Sequence, residues 1–121
     1  MAEIIVALDF PAADRALDLV DDLGEAGTFY KVGLELYMRA GPSVVEELRD
    51  RGKSVFLDLK LHDIPNTVAG GVRAASQLGV DLLTVHTAGG GPMLDAAREV
   101  AGEMRLLGVT VLTSIAPTDL E

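Results

Sequence analysis

Short apolar runs alternate with helix-forming segments along the chain, and brief turns rich in glycine separate them. Uninterrupted apolar runs are typical of strands that are buried on both faces of a parallel sheet. The segments between them place apolar residues on one helical face, as Leu17, Val20 and Leu23 do in the first one. This alternation, without a linker or a low-complexity segment, predicts one α/β domain over residues 1–121, with a parallel sheet covered by helices.

The predicted strands are Ile4–Leu8, Thr28–Val32, Ser54–Leu61, Val80–Val85 and Leu106–Thr113. Helices are predicted over Asp14–Leu23, Ser43 to Gly52, Thr67–Leu78 and Met93–Glu103, and a further one opens at Pro117–Glu121. Units of ~25 residues suit a TIM (β/α)₈ barrel, which needs eight units and typically ~250 residues. We therefore expect a truncated or half-barrel of about five strands, either a fragment or an open sheet whose edges another chain covers.

The composition excludes several classes of protein. Ten basic and nineteen acidic residues give a net charge of −9, which argues against a general nucleic-acid binder. The absence of cysteine excludes disulfides and thiolate metal sites. The amino terminus is too short and too acidic for a signal peptide, and no apolar run approaches the length of a membrane span. We expect a cytoplasmic protein.

The third predicted strand carries charges inside an apolar run. Strand alternation places Phe56, Asp58 and Lys60 on one face of the sheet and leucines on the other. Asp63 follows just past the strand. A structural ion pair at the strand end is one interpretation, since such networks are common. The other is a catalytic acid–base array, because α/β enzymes place their chemistry at the carboxyl ends of strands.

Charges also stand at the ends of the neighbouring strands. Asp9 ends the first strand, and Lys31 lies near the end of the second. Because carboxyl ends of parallel strands meet at one rim, we expect these residues to join Asp58 and Lys60, and the coincidence favours function over isolated core ion pairs.

Other polar residues at this rim leave alternatives open. His86 ends the fourth strand, where it is a ligand, a proton shuttle or a hydrogen-bonded structural imidazole. Gly89–Gly91 precedes a helix and forms either a phosphate cradle or a tight turn. Ser114 ends the fifth strand without an adjacent base, so we expect a hydrogen bond to a ligand rather than a nucleophile. Two histidines and no cysteine argue against a dedicated zinc site.

These motifs together resemble the orotidine 5′-phosphate decarboxylase family. The matching segments are A-L-D at 7–9, K-V-G at 31–33, F-L-D-L-K-L-H-D-I-P-N-T at 56–67, V-H-T-A-G-G at 85–90 and V-T-V-L-T-S at 109–114. The D-x-K-x-x-D core is shared with sister sugar-phosphate enzymes, whereas I-P-N-T and L-T-S point to the orotidine branch. The resemblance spans the chain but covers only the N-terminal half of the family's barrel.

The resemblance implies a cofactor-free and metal-free decarboxylation of orotidine 5′-monophosphate to uridine 5′-monophosphate. It implies a catalytic tetrad of Lys31, Asp58, Lys60 and Asp63, with Lys60 stabilising and protonating the C6 carbanion. The resemblance also assigns substrate contacts to Asp9 and Lys31 at the ribose and to Ser114 at the pyrimidine.

The same resemblance implies a homodimer with shared sites, in which Asp63, Ile64 and Thr67 serve the neighbouring subunit. The family's phosphate-binding arginine and glutamine-bearing closing loop belong to the half of the barrel that this sequence does not cover. Two alternatives remain: a sister sugar-phosphate decarboxylase or aldolase that uses Mg²⁺, and a non-catalytic half-barrel that folds by oligomerising.

Overall fold

A computed structural model describes residues 2–120 of the chain, except for the side chain of Leu120. Five parallel strands form one sheet in the order β1-β2-β3-β4-β5. Their bounds are Val6–Ala7 (β1), Phe29–Gly33 (β2), Ser54–Leu61 (β3), Leu82–His86 (β4) and Arg105–Val109 (β5). The helices are Ala13–Leu23 (α1), Leu34–Ala40 (α2), Ser43–Asp50 (α3), Pro65–Gln77 (α4) and Gly91–Val100 (α5). Sequential strands that neighbour one another in a parallel sheet confirm the predicted half-barrel.

Most predicted elements occur, but their bounds differ at the edges of the sheet. β1 is shorter than the predicted Ile4–Leu8, and β5 ends at Val109 rather than Thr113. Within residues 2–120, β1 and β5 each pair with a strand on one side only, so fewer ladder hydrogen bonds extend them. The predicted helix at Pro117 is a 3₁₀ turn over Pro117–Leu120, and Glu121 lies outside the described residues.

Helix α2 was not predicted from the sequence. It is a short helix that begins directly after β2, with Gly33 as its N-cap and Gly41 as its C-cap. Gly41 has a φ of 69°, a left-handed conformation that glycine adopts without steric cost. Only Leu36 is buried among its residues, so the apolar periodicity that identifies longer helices is weak here.

The core lies between the sheet and the helices. The strands contribute Tyr30, Val32, Val55, Leu57, Leu83 and Val85, and the helices contribute Val20, Val44, Val45, Leu48, Val68, Val72, Met93 and Ala97. Alternation along each strand sends these side chains to the helical side, so the next residues face the other side of the sheet. That second face carries the charged residues. Within residues 2–120, no helix is long and apolar enough to cross a membrane.

Candidate active site

A line of ion pairs crosses the carboxyl ends of β1, β2 and β3. The Asp58 carboxylate is at its centre and is 13% exposed. Lys60 Nζ donates to both of its oxygens, at 2.9 Å to Oδ1 and 3.0 Å to Oδ2. Lys31 Nζ lies 3.9 Å from Asp58 Oδ2 and also 3.9 Å from Asp9 Oδ1. The structure thus brings together four of the predicted site residues, in the order Asp9–Lys31–Asp58–Lys60.

The backbone that carries Lys60 is irregular. Lys60 has a φ of 51°, in the left-handed region that L-residues other than glycine rarely adopt. The register between β3 and β4 shifts at this point, because Leu57 pairs with Leu83 and Leu61 with Val85. Four steps along β3 therefore match two along β4, which is a β-bulge. Bulges are common beside active sites, where they redirect a side chain.

Thr84 contacts both charged residues of the bulge, and the sequence analysis did not identify it. Its side chain is buried in β4, with 2% of the residue exposed. The Thr84 hydroxyl donates to Asp58 Oδ1 at 2.8 Å and accepts from the Lys60 amide at 2.9 Å. A threonine within an apolar strand was the available signal, but Thr is also a common strand residue.

Asp63, Ile64 and Thr67 lie beside the ion pairs but outside them. Asp63 is exposed, and its Oδ1 accepts a hydrogen bond from the Ile64 amide at 2.7 Å. Within residues 2–120, Asp63 forms no ion pair with another side chain. Ile64 is 65% exposed, and Thr67 is exposed in the first turn of α4. Asp63 and Thr67 line one shallow pocket with Leu61 and Gly71. These three residues therefore present a free surface in the single chain.

Ser114 lies five residues beyond the observed end of β5. It is exposed in a turn, and its hydroxyl has no hydrogen-bond partner within residues 2–120. The sequence placed it at a strand end, which is wrong because the strand ends at Val109. Within residues 2–120, Ser114 makes no hydrogen bond to the ion-paired residues, and its predicted role remains a prediction.

The remaining candidates surround the end of β4. The rings of His62 and His86 are tilted by 45° with their centroids 5.3 Å apart, and both residues line an apolar pocket with Val111. Gly89 belongs to a 3₁₀ turn, where an added Cβ would meet the flexible end of the Met93 side chain, and the next residue, Gly90, has a φ of 91°, which favours glycine. Within residues 2–120, no group of three or more histidines and carboxylates is placed to hold a metal ion.

This arrangement can hold an ammonium group at a fixed position beside a carboxylate. Both Lys60 and Lys31 approach Asp58 on a surface that is only partly open to water, with 39% and 27% of their side chains exposed. Preorganised cations in such a setting stabilise negative charge that develops in a transition state. Lys60 also carries protons that it can donate.

Comparisons with known proteins give a consistent result. The family model described as "Orotidine 5′-phosphate decarboxylase / HUMPS family" matches residues 2–121. The chain is 50% identical over 121 residues to a protein of Cutibacterium acnes named orotidine 5′-phosphate decarboxylase, covering 97% of this chain and 51% of the relative. It is 52% identical over 128 residues to a protein of the same name from Nitratidesulfovibrio vulgaris, covering 99% and 54%.

A solved structure gives the same result as the sequence comparisons. The crystal structure of orotidine 5′-phosphate decarboxylase from Lactobacillus acidophilus superposes with a TM-score of 0.91 at 39% identity. The match covers 99% of this chain and 58% of that chain. The chain thus spans about half the length of the curated relatives it matches.

Proposed function

Because the chain belongs to the orotidine 5′-phosphate decarboxylase / HUMPS family, we propose that its charged rim supplies the chemistry for decarboxylating orotidine 5′-monophosphate. The product is uridine 5′-monophosphate, and this reaction is the last step of de novo pyrimidine biosynthesis, for which a cytoplasmic location is expected. The observation that supports it is the line of ion pairs from Asp9 to Lys60. The chain alone spans half a barrel, so we place this activity in a protein completed by the second half.

Lys60 carries the central step. The bond between C6 and the carboxylate carbon breaks, CO₂ leaves, and the electron pair remains on C6. The Lys60 ammonium stabilises that charge as it develops and then transfers a proton to C6, after which the amine recovers its proton from water. Two unit charges ~4 Å apart interact by about 4 kcal/mol at an effective dielectric constant of 20, so the position of the ammonium is decisive. No cofactor or metal takes part in this proposal.

The carboxylates and Lys31 set the electrostatics around that step. Asp58 holds the Lys60 ammonium through two hydrogen bonds and would repel the substrate carboxylate, which the loss of CO₂ relieves. Lys31 contacts both Asp9 and Asp58, and opposite charges favour the ionised form of each group. Asp9 is 72% exposed and has room to accept a hydrogen bond from a ribose hydroxyl, together with Lys31. Ser114 is proposed to reach the pyrimidine ring.

The active protein is proposed to be a homodimer with shared sites. Asp63, Ile64 and Thr67 are exposed together next to the rim, and Asp63 lacks an ion-pair partner within residues 2–120. An exposed isoleucine beside an unpaired carboxylate suits insertion into the site of a second copy, where Asp63 would complete the charge tetrad. The phosphate-binding arginine and the closing loop would come from the second half of the barrel.

The decisive experiment completes the barrel. This chain is fused to the C-terminal half of the Cutibacterium acnes relative, and loss of orotidine nucleotide absorbance is followed with and without EDTA. We expect EDTA-insensitive decarboxylation by the fusion protein and none by the isolated chain. A folded fusion that acts on a sugar phosphate only with added Mg²⁺, and does not decarboxylate orotidine 5′-monophosphate, would favour the sister sugar-phosphate enzyme. A folded fusion that acts on neither substrate would favour a non-catalytic half-barrel.

Shared sites are tested by mixing two inactive variants of the fusion protein, Lys60→Ala and Asp63→Ala. A heterodimer of the two has one site that carries both substitutions and one intact site. Since half of the dimers are mixed at equal concentrations, we expect recovery to about a quarter of the unsubstituted activity. A mixture that stays inactive after subunit exchange, shown by differently tagged copies co-purifying, would place Asp63 in its own subunit's site.

A further inference from the structure

The hydroxyl of Thr84 accepts a hydrogen bond from an amide that the β-bulge redirects. Along a regular strand the amides alternate between the two neighbouring strands, and Ser54, an even number of residues before Lys60, donates to Thr28 O on the β2 side. By that alternation the Lys60 amide would face β2, but the register shift between Leu57 and Leu61 turns it to Thr84 Oγ1 in β4. A partly buried amide without an acceptor would be costly, so this hydrogen bond helps to stabilise the bulge.

The same hydroxyl also orients the carboxylate that holds the catalytic ammonium. A hydroxyl has one proton to donate, and Thr84 gives it to Asp58 Oδ1. Lys60 Nζ donates to that same oxygen at 2.9 Å. One buried side chain on the neighbouring strand is thus bonded to both the backbone of Lys60 and the partner of its side chain.

We propose that Thr84 is a positioning residue, which holds Lys60 in its left-handed conformation and fixes the Asp58 carboxylate so that the ammonium points to the reacting carbon. The catalytic part of this assignment rests on the proposed function, whereas the conformational part does not. In this assignment Thr84 acts through the two groups that its hydroxyl contacts, the Lys60 amide and the Asp58 carboxylate. Valine has nearly the same shape as threonine but lacks the hydroxyl, so Thr84→Val isolates its contribution.

The conformational part is tested by amide hydrogen exchange on the 121-residue chain. Thr84→Val should speed exchange of the Lys60 amide by about tenfold, because that amide loses its acceptor. Thr84→Ser keeps the hydroxyl and should retain most of the protection. Thr87→Val is the matched control, since the Thr87 hydroxyl donates to the Val109 carbonyl at 3.1 Å, away from Lys60. If Thr84→Val does not fold, Thr84→Ala takes its place.

The catalytic part is tested in the fusion protein. Thr84→Val should lower kcat by about 10²-fold with little change in KM, because it displaces the ammonium without removing a substrate contact. Thr84→Ser should restore most of kcat. An unchanged exchange rate of the Lys60 amide in a folded Thr84→Val chain would overturn the positioning role. Faster exchange with unchanged kcat would overturn the catalytic part, and an inactive unsubstituted fusion would instead refute the proposed function.

Discussion

The two ends of the sheet both carry ion pairs, but they hold their cations differently. At the amino ends of the strands, Arg49, Arg51 and Lys53 each donate to a main-chain carbonyl. Arg49 donates to Lys53 O at 3.1 Å, Arg51 to Glu47 O at 3.1 Å, and Lys53 to the carbonyls of Gly24 and Gly27 at 2.8 Å. At the carboxyl ends, within residues 2–120, the Lys31 and Lys60 ammonium groups contact carboxylates only.

This difference separates groups that fasten loops from groups that are available for chemistry. The Lys53 hydrogen bonds join the turn before β3 to the turn after α1, whereas those of Arg49 and Arg51 close the carboxyl end of α3. The arginines add carboxylate contacts there: Arg51 hydrogen-bonds to Asp21 and holds the pKa of that carboxyl below its usual range. Within residues 2–120, Lys31 and Lys60 at the carboxyl end donate to no main-chain carbonyl, and Lys60 lies on strained backbone. Stability at one face and chemistry at the other is the division that (β/α)₈ enzymes use.

The difference between the two ends is tested most directly by removing one lysine from each end of the sheet. In the fusion protein, Lys60→Ala should lower turnover by at least about 10³-fold, because it removes the cation that stabilises the developing charge and the proton donor. Initial rates of decarboxylation at saturating substrate measure this effect. Turnover of the Lys60→Ala variant near the unsubstituted value would refute the catalytic assignment of the carboxyl end.

Lys53→Ala is the matched substitution at the amino end. It removes two hydrogen bonds to carbonyls and should lower the free energy of unfolding by about 1–2 kcal/mol, measured by urea denaturation. Turnover per folded molecule should stay unchanged. A large loss of turnover in a folded Lys53→Ala protein would show that the two ends are not functionally separate.

The positions of the charged side chains depend on strand periodicity and could be predicted from the sequence. Alternation along β3 placed Asp58 and Lys60 on one face, and their position near the strand end placed them beside Lys31 and Asp9, as observed. The bulge could not be predicted, because it depends on the register between β3 and β4 rather than on either strand alone. The role of Thr84 depends on the same register, which brings its hydroxyl to the Lys60 amide.

Helix α2 and the position of Ser114 were not predicted correctly, and each error has a local cause. Helix α2 is only seven residues long with one buried side chain, so its apolar pattern is too short to recognise. Ser114 was placed at a strand end because the apolar run continues to Leu112, whereas the ladder between β4 and β5 stops at Val109. Apolar character persisted beyond the last hydrogen-bonded pair, and the sequence does not contain the position of that pair.

Substitution of Asp81 also tests the amino end of the sheet, with a smaller expected effect on the free energy of unfolding. Its Oδ2 accepts from the Val55 amide at 2.8 Å and from Arg49 at 3.2 Å, which joins β3, β4 and α3. Asp81→Ala leaves the Val55 amide without its acceptor and should cost about 1 kcal/mol in urea denaturation of the chain. Asp81→Asn retains an oxygen acceptor and should cost less. Hydrogen exchange of the Lys60 amide should not change in either variant, and faster exchange there would show coupling between the two ends.

The smallest expected effect concerns the strained backbone of Lys60 itself. A left-handed conformation costs an L-residue about 1–2 kcal/mol, whereas glycine adopts it freely at an unfolded-state entropy cost of about 0.4–1 kcal/mol. Because the first quantity is larger, Lys60→Gly should be more stable than Lys60→Ala by about 0.5–1 kcal/mol, although both remove the amine. Lys31 in β2 supplies the control, since it lies in a regular strand. There Lys31→Gly should be less stable than Lys31→Ala, so urea denaturation of the four chains should give opposite signs at the two positions. The same sign at both would mean that Lys60 stores no backbone strain, and the bulge would then not distinguish the carboxyl end from the rest of the sheet.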